Sequence, residues 1–380
     1  MPSRKDQPAK APTDSGNFVS EWFGHRVYPV VAATSKSLKD QQTGRCPFLS
    51  EATGKTQSCI KPENAKGICT VSSVSNRLRQ DWLVCPYRGL DHPLVDDVAR
   101  RLFGVRAELG VTVVPRPTLA DPARRAKFAH NVASGQAGVV YLQSKLGGEI
   151  SIAPTDRSPE LSFDFTLVEV RHEAGSYRLG RYGILEVQTM DYHGSYKAAV
   201  NNLTDALRLH GAHFHTELVK NPRWLSEKME GPNIANVFKR TFYQMMLKFQ
   251  IGADVDCGGC VLALPQSVWD SWQRHLGRPD LISRGDGTFA LVEPGKTLAE
   301  RIAAWIYIFD IEVSTKPTPN PIMLKRIIAT DADAVAHYAL RVAPQAAVTG
   351  TGSADRVLAS ISRRLLTWWP ELQVPRKTTG

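Results

Sequence analysis

Apolar and polar residues alternate with a period of two through the middle of the chain, and this pattern predicts β-strands. The segment "EAGSY" (173–177) separates two of these stretches and has the composition of a turn, so we expect the strands on either side to pair antiparallel. Further apolar stretches of strand length follow towards the C-terminus. The predicted strands are "AGVVYLQ" (137–143), "GGEISIAP" (147–154), "LSFDFTLVEVRH" (161–172), "RYGILEVQTM" (181–190), "CVLALP" (260–265) and "AAWIYIFDIEV" (303–313).

Apolar residues recur at helical spacing in other segments, which we predict to be α-helices. Asp121 is a suitable N-cap with Pro122 at the first helical position, and the helix that starts at Ser195 should end before Gly211. Strands interspersed with helices predict a mixed α/β core. The helical segments are "HPLVDDVARRLFG" (92–104), "DPARRAKFAHNVASG" (121–135), "GSYKAAVNNLTDALRLHG" (194–211), "PNIANVFKRTFYQMMLKFQIG" (232–252), "SVWDSWQRHLG" (267–277) and "SADRVLASISRRLLTWWP" (353–370).

Length and charge narrow the class of protein. The chain has 380 residues, so one large domain with insertions and two domains are both open. The net charge of +10 favours anionic partners such as nucleic acid, although it also fits acidic lipid. Because no apolar run is long enough to span a bilayer and no secretory signal is visible, we expect a cytoplasmic protein with reduced cysteines and no membrane partner.

Four cysteines fall in the part of the chain that is weakest in periodicity. Cys46, Cys59, Cys69 and Cys85 lie within residues 18–90, a segment rich in Gly, Pro, Ser and Thr. Four thiolates suit a tetrahedral structural site for zinc or a single iron. None of the spacings is the C-x2-C of common metal sites, so scattered buried free thiols are the open alternative.

Three acids and an amide are candidates for a cation site. Glu186 and Gln188 are two residues apart in a predicted strand and therefore point to the same face. The predicted hairpin brings Asp164 beside Glu186, and Glu149 is a third acid able to join them. Neighbouring carboxylates repel each other unless a cation such as Mg²⁺ lies between them. The alternative is that Asp164 lines a sheet edge and Glu186 faces solvent.

The predicted helix over residues 232–252 carries basic residues among aromatic ones. Helical spacing places most of the aromatic residues on one face, which we expect to be buried, so Lys239, Arg240 and Lys248 project outward. Outward basic residues suit contacts with DNA phosphates. A solvated helix face without a partner is the alternative.

The order of several distinctive segments resembles type II restriction endonucleases of the PD-(D/E)xK nuclease superfamily, from about residue 18 to residue 370. The resemblance implies that superfamily's core, a central mixed sheet flanked by helices, with an appended four-cysteine metal-binding module. It also implies a bacterial homodimer that makes Mg²⁺-dependent double-strand cuts in DNA at a GC-rich palindrome, GCGGCCGC-like or with a GGCC centre, and leaves 5′-phosphates. The segments include "FGHRVYP", "GRCPFLS", "DWLVCPYR", "KLGGEISI", "SPELSFDFTL", "RYGILEVQTMDYHGSYK" and "NVFKRTFYQM".

The same resemblance assigns roles to the candidate residues. Asp164 and Glu186 are expected to bind Mg²⁺ with help from Glu149, and Gln188 is expected to position the attacking water in place of the usual lysine. The cysteines Cys46, Cys59, Cys69 and Cys85 are expected to hold a structural iron, with zinc as the other possibility. The chain departs from the superfamily pattern because Phe163, not proline, precedes Asp164 and because a glutamine replaces the lysine, so the general base stays open.

Guanine-rich edges of a DNA site are read by arginine or lysine, and Arg181 and Arg88 are the candidates, each with a phosphate contact as the alternative.

A cognate DNA methyltransferase is expected as a separate protein and not as a stable partner. A non-cleaving DNA-binding regulator and an RNA-processing nuclease are the competing functions. The predicted regions are a disordered arm (1–17), a four-cysteine region (18–90), a catalytic domain (91–370) and a flexible tail (371–380).

Overall fold

The computed structural model describes residues 16–75, 77–190, 195–226, 229–349 and 353–371, without the side chains of residues 234–236 and 353–355. The predicted arm and tail therefore lie almost entirely outside the described residues. The fold is α/β, with a large mixed sheet flanked by helices, as the alternation of strand and helix patterns predicted.

The strands form a large sheet, a smaller sheet and a short hairpin. Within the described residues, nine strands make the large sheet in the order β12-β13-β15-β14-β11-β10-β9-β6-β5, four make a sheet in the order β2-β1-β3-β4, and β7 pairs with β8. The strands are β1 (Phe18–Trp22), β2 (His25–Arg26), β3 (Ile68–Ser75), β4 (Leu78–Leu83), β5 (Val111–Pro115), β6 (Ala137–Gln143), β7 (Ile150–Ile152), β8 (Leu161–Phe163), β9 (Phe165–Glu173), β10 (Ser176–Val187), β11 (Cys257–Pro265), β12 (Ile282–Ser283), β13 (Phe289–Ala290), β14 (Ala304–Ile311) and β15 (Ile322–Thr330).

The helices cover both faces of the large sheet. In the described ranges, none of them combines the length and the apolar character that crossing a membrane requires. The helices are α1 (Ser35–Thr43), α2 (Pro47–Thr53), α3 (His92–Phe103), α4 (Pro122–Ala133), α5 (Lys197–His210), α6 (Phe214–Lys220), α7 (Ile234–Gly252), α8 (Gln266–Trp272), α9 (Ala332–His337), α10 (Ala343–Thr349) and α11 (Ser353–Leu366), with a π-helical turn (Tyr338–Val342) between α9 and α10.

Local sequence rules account for the elements that carry the site. Strands β9 and β10 pair antiparallel across a two-residue turn at Ala174 and Gly175, and both turn residues have positive φ, which favours glycine. Asp121 caps α4 by accepting hydrogen bonds from two backbone N–H groups of its first turn. Helix α5 begins at Lys197, two residues after the predicted start, and residues 191–194 before it lie outside the described ranges.

The two faces of the large sheet have separate apolar cores. On one face, Leu185 and Val187 of β10 pack in a cluster with residues of α3 such as Val98. On the other face, Ile184 packs in a cluster with residues of α7 and α8 such as Phe249. Because side chains alternate along a strand, the even-numbered residues at the end of β10 face α7.

The predicted four-cysteine region packs continuously with the rest of the chain. Its sheet shares one apolar cluster with α5 and α6, in which Trp22 and Ile68 accompany Leu203 and Phe214. Three of its cysteines lie in the cluster that also contains α3. The boundary between residues 90 and 91 stays a prediction, because residues on both sides of it pack in the same apolar cluster.

Arg88 is a structural residue of this region, and its burial argues against the predicted DNA contact. Its side chain is fully buried, with Nε 2.9 Å from Glu21 Oε2 and Nη2 donating to the Asn320 carbonyl oxygen at 2.6 Å. The sequence showed a basic residue after a cysteine but not the carboxylate 67 residues away. An arginine held on both sides in the interior does not reach a DNA groove.

We expect Arg88→Ala to lower the free energy of unfolding by about 3–5 kcal/mol, because it leaves the buried Glu21 carboxylate without its partner. Urea denaturation measures the change. The control is Arg171→Ala, since Arg171 pairs with Glu169 while 44% exposed and its loss should cost less than about 1 kcal/mol. Equal effects of the two substitutions would contradict the structural role of Arg88.

Candidate active site

The two predicted acids meet at the end of the β9–β10 hairpin. Leu185 in β10 lies opposite Phe165 in β9, so Glu186 and Asp164 are the next pair in the same register. The Asp164 N–H donates to Glu186 Oε1 at 3.1 Å, and the Val187 N–H donates to Asp164 Oδ2 at 3.2 Å. The hairpin predicted from the alternating pattern therefore brings the two carboxyl groups side by side.

Burial makes both carboxyl groups weaker acids than usual, and the charge of Asp164 adds to this effect for Glu186. The Glu186 side chain is 13% exposed. Its burial, followed by the repulsion of Asp164, raises the pKa of Glu186 to about 8 against the opposing attraction of Lys248. Burial also raises the pKa of Asp164. When both groups are ionised, their surroundings do not fully compensate the negative charge, which is the condition under which a divalent cation binds.

Lys248 supplies positive charge to the pair, and the prediction that it projects outward from the helix is wrong, because its side chain is buried. It lies near the end of α7, with Nζ 2.5 Å from Glu186 Oε2 and only 5% of its side chain exposed. The two residues are 62 positions apart, so no local spacing connects them. The signal available in the sequence is that Lys248 follows the buried Met245 by three residues, which places it on the inward face of the predicted helix.

Gln188 shares the face of Glu186, as the two-residue spacing predicted, but both ends of its amide are already bonded. Its Oε1 accepts from the Thr241 hydroxyl at 2.5 Å, and its Nε2 donates to the Thr189 carbonyl oxygen at 2.5 Å. Its backbone N–H donates to the Ala263 carbonyl oxygen at 2.8 Å. The side chain therefore connects the end of β10 to α7.

Glu149 is not brought into the group. It precedes β7, whose first residue, Ile150, pairs with Phe163 in β8, so the backbones of Glu149 and Asp164 are neighbours. The Glu149 side chain is exposed and does not line the cavity that contains Asp164. The expectation that the Glu149 carboxylate joins the two acids is therefore not met, although the strand register brings its backbone near them.

An open cavity of about 270 Å³ contains the candidate residues. Water occupies ~30 Å³ per molecule in the liquid, so the cavity has room for a hydrated cation and part of a phosphate group. Acidic, amide and basic side chains from β10, α7 and the β8–β9 junction meet in it. They include Asp164, Glu186, Gln188, Arg240, Thr241 and Lys248.

The predicted DNA-binding residues lie in different parts of the molecule. Lys239 and Arg240 are exposed on α7, and Arg240 lines the cavity. Arg181 lies in β10 five residues before Glu186, which is about 16 Å along a strand, and its Nη2 donates to the Phe103 carbonyl oxygen at 3.4 Å. The phosphate contacts of α7 and the base contact of Arg181 stay predictions.

The four predicted cysteines interact with one another. Cys46 and Cys85 each precede a proline that begins a helical turn, and the backbone N–H groups two and three residues later act on each sulfur to lower its pKa. The Cys59 sulfur accepts from the Gly67 N–H at 3.3 Å. The hydrogen bond between Cys69 and Cys85 lowers the pKa of Cys85 to about 6 and raises that of Cys69, while burial raises the pKa of Cys46 to about 12. Backbone donors directed at sulfur suit thiolates that bind a metal.

No complete metal-binding arrangement is formed, however. Across the described ranges, no three side chains of His, Cys, Asp or Glu are grouped so that they could hold a metal ion. The four thiols and the two paired acids therefore each provide only part of the ligand set that a metal ion needs. Both the four-cysteine site and the magnesium site stay predictions.

Comparison with known proteins adds no assignment. No protein-family model matches the chain, and no curated protein is found to be similar to it. Any function proposed for the cavity therefore depends on its own residues and on the sequence segments described above.

We expect divalent cations to bind more tightly as pH rises towards 8, because the cation needs the ionised carboxylate. The pKa of Glu186 in the folded protein is about 8, so at lower pH a bound cation must displace the proton of this group. The affinity for Ca²⁺ should therefore rise about tenfold per pH unit and level off above pH 8. Calorimetric titration with Ca²⁺ at pH 6.5, 7.5 and 8.5 measures this. Glu186→Gln is the control and should bind weakly at every pH. An affinity of the wild-type chain that does not change with pH would contradict the assignment.

Proposed function

We propose that the chain is a type II restriction endonuclease of the PD-(D/E)xK superfamily, related to NotI, that makes Mg²⁺-dependent double-strand cuts in DNA. One observation carries the proposal: Asp164 and Glu186 lie side by side with Lys248 in one open cavity at the end of the central strands. Two acids at such a point can hold the metal that promotes phosphodiester hydrolysis, and a lysine beside them can stabilise charge on the phosphate. The chain-long resemblance of the quoted segments supports the same activity.

The carboxyl groups fit a hard cation. Mg²⁺ in enzymes is commonly held by one or two carboxylates, with water and substrate phosphate oxygens completing its shell. The raised pKa values of Asp164 and Glu186 indicate negative charge that the protein alone compensates poorly. When bound, Mg²⁺ supplies an activated water and stabilises charge on the phosphate. Asp164 and Glu186 would hold it.

Lys248 is the residue to which we assign the role usually filled by the superfamily lysine. Gln188 stands at the strand position of that lysine, but its amide is bonded to Thr241 and to a backbone carbonyl oxygen. Lys248 instead brings an ammonium group into the same cavity from α7. An ammonium group there neutralises charge that develops on the phosphate during in-line attack, and the 3′ oxygen leaves so that the 5′-phosphate remains.

Substrate and partners follow from the same proposal. Lys239 and Arg240 contact DNA phosphates beside the cavity, and Arg181 is the candidate for a guanine contact. A GC-rich palindrome, GCGGCCGC-like or with a GGCC centre, matches a homodimer in which each copy cuts one strand. A cognate methyltransferase in the same bacterial cytoplasm protects host DNA.

The four cysteines form a structural metal site in this proposal. The donor chemistry fits, because the Cys59 sulfur accepts a backbone N–H hydrogen bond and nearby backbone N–H groups favour the thiolates of Cys46 and Cys85. Cys46, Cys59, Cys69 and Cys85 would hold an iron, with zinc as the other metal that such ligands select. The ion would hold together a region that shares its apolar core with α3.

We expect the purified chain to cut GC-rich plasmid DNA into discrete double-stranded fragments with 5′-phosphates when Mg²⁺ is present. Cutting should disappear when EDTA removes the metal, because the carboxylates then have no cation to hold. Fragment mapping on a gel and end-sequencing measure the result. Retarded DNA without any cutting would instead indicate the non-cleaving regulator, and cutting restricted to RNA would indicate the RNA-processing nuclease.

Variants connect this activity to the cavity. Glu186→Ala should lower the cutting rate at least ~100-fold, and Lys248→Met by ~100- to 1,000-fold, while both still bind the site in Ca²⁺. Lys239→Met on the same helix is the matched control and should cut, with weaker binding whose salt dependence is reduced. Cutting by Glu186→Ala at the wild-type rate would refute the site.

We expect about one iron per chain in the purified protein, held by the four cysteines. Cys69→Ser should lose most of the metal and unfold more easily, because a structural metal contributes to folding. Cys257→Ser, in a buried strand away from the four, is the control and should keep its metal. Elemental analysis with thermal unfolding measures both. A Cys69→Ser variant that stays folded and fully metal-loaded would refute the assignment, and zinc in place of iron would change only the metal.

A further inference from the structure

The C-terminal helix α11 presents an apolar stripe that the rest of the described chain leaves uncovered. Five apolar side chains of this helix and its C-terminal end are between 45% and 89% exposed. Successive helical residues are about 100° apart, so the five fall within an arc of about 100°, which is the width of a face that packs against a partner. They are Val357, Leu358, Ile361, Leu365 and Trp368.

The stripe is distinct from the side by which α11 is attached. Helix α11 contacts α10, and its half-buried residues are Ser362 and Leu366, which lie at one edge of the stripe. Arg356 and Arg363 lie on the side away from it, whereas Arg364 lies at its edge beside Val357. The apolar stripe therefore serves neither to attach the helix nor to carry its charge.

The exposed area matches what a stable dimer needs. Trp369, 60% exposed, adds to the stripe at its C-terminal end, where its N–H and that of Trp368 donate to the Leu365 carbonyl oxygen. With aromatic side chains contributing roughly 150–250 Å² each, the surface offers on the order of 600 Å² of apolar area per copy. Two copies would bury roughly 1,200 Å², which reaches the lower bound of specific, stable interfaces.

The stripe is also complementary to itself. If two copies of α11 cross antiparallel with Ile361 on the two-fold axis, Val357 of each copy meets Leu365 of the other. Ile361 then meets its own counterpart, as an isologous interface requires. None of the five stripe residues is charged, so two chains of net charge +10 do not place like charges at the centre of the contact.

We infer that α11 is the docking surface for α11 of a second copy of this chain. The inference rests on the proposed function only in that a palindromic site calls for a two-fold symmetric partner. A membrane surface is the competing occupant, because arginines opposite an apolar stripe are also typical of interfacial helices, and the vesicle experiment below separates the two.

Sedimentation equilibrium of the full chain tests the inference without DNA. The wild-type mass should be twice 42.0 kDa, and Ile361→Glu should halve it while circular dichroism shows an unchanged fold. Ser360→Glu adds the same charge one residue away, outside the stripe, and should stay dimeric. A monomeric wild-type chain, or an Ile361→Glu variant that stays dimeric, would overturn the inference.

A crosslink locates the contact directly. Ile361→Cys should form a disulfide-linked dimer on mild oxidation, seen on a non-reducing gel, whereas Ser360→Cys should not. Binding of the wild-type chain to vesicles of phosphatidylserine and phosphatidylcholine that is lost in Ile361→Glu would overturn the inference in favour of a membrane. If the chain is dimeric through α11 but does not cut DNA, this inference stands and the proposed function is refuted. If the chain cuts DNA but its Ile361→Glu variant stays dimeric, the proposed function stands and this inference is refuted.

Discussion

The close approach of two carboxyl groups at the end of the β9–β10 hairpin constrains the strands and side chains that surround them. Asp164 and Glu186 are held by the β9–β10 register and by backbone N–H groups, so they cannot separate without unpairing the strands. The rise in the pKa of Glu186 from 4.5 to about 8 corresponds to on the order of 5 kcal/mol of unfavourable ionisation. The paired strands and the apolar clusters on both faces of the large sheet must offset this cost.

A second buried glutamate shows how different the result is when a carboxylate is fully paired. Glu21 is as buried as any residue in the chain, but Arg88, Arg26 and a hydrogen bond from Thr70 together overcome the effect of burial and lower its pKa. Glu186 has one cationic partner and one anionic neighbour, and its pKa rises. The first arrangement stabilises the join between the small and large sheets, whereas the second keeps charge available for a ligand.

Sequence patterns predicted the site as far as local periodicity reaches. The turn at Ala174 and Gly175 and the two-residue spacing of Glu186 and Gln188 were enough to predict the pairing with Asp164, because both follow from short-range backbone geometry. Helices α3, α4, α5 and α7 followed from helical spacing and from capping residues in the same way.

The parts that sequence did not predict depend on contacts between distant residues. Lys248 reaches Glu186 across 62 residues, and Arg88 reaches Glu21 across 67, and neither distance leaves a trace in local spacing. A basic residue in a polar stretch looks the same whether it is exposed or paired in the interior, so the expectation for Arg88 failed. Glu149 shows a similar limit, since strand register fixes its backbone but not the direction of its side chain.

Under the proposed function, the position of Lys248 would explain why a glutamine is tolerated at position 188. A lysine at the end of β10 would add a second ammonium group to a cavity that already receives one from α7 and the guanidinium of Arg240. Two ammonium groups beside Asp164 and Glu186 would compete with a metal for these carboxylates. A neutral amide instead ties α7 to β10 through Thr241 and fixes the helix that carries Lys248. Under the proposed function, the charge and the anchoring role are thus divided between two residues, and the substitution at position 188 is compatible with an active site.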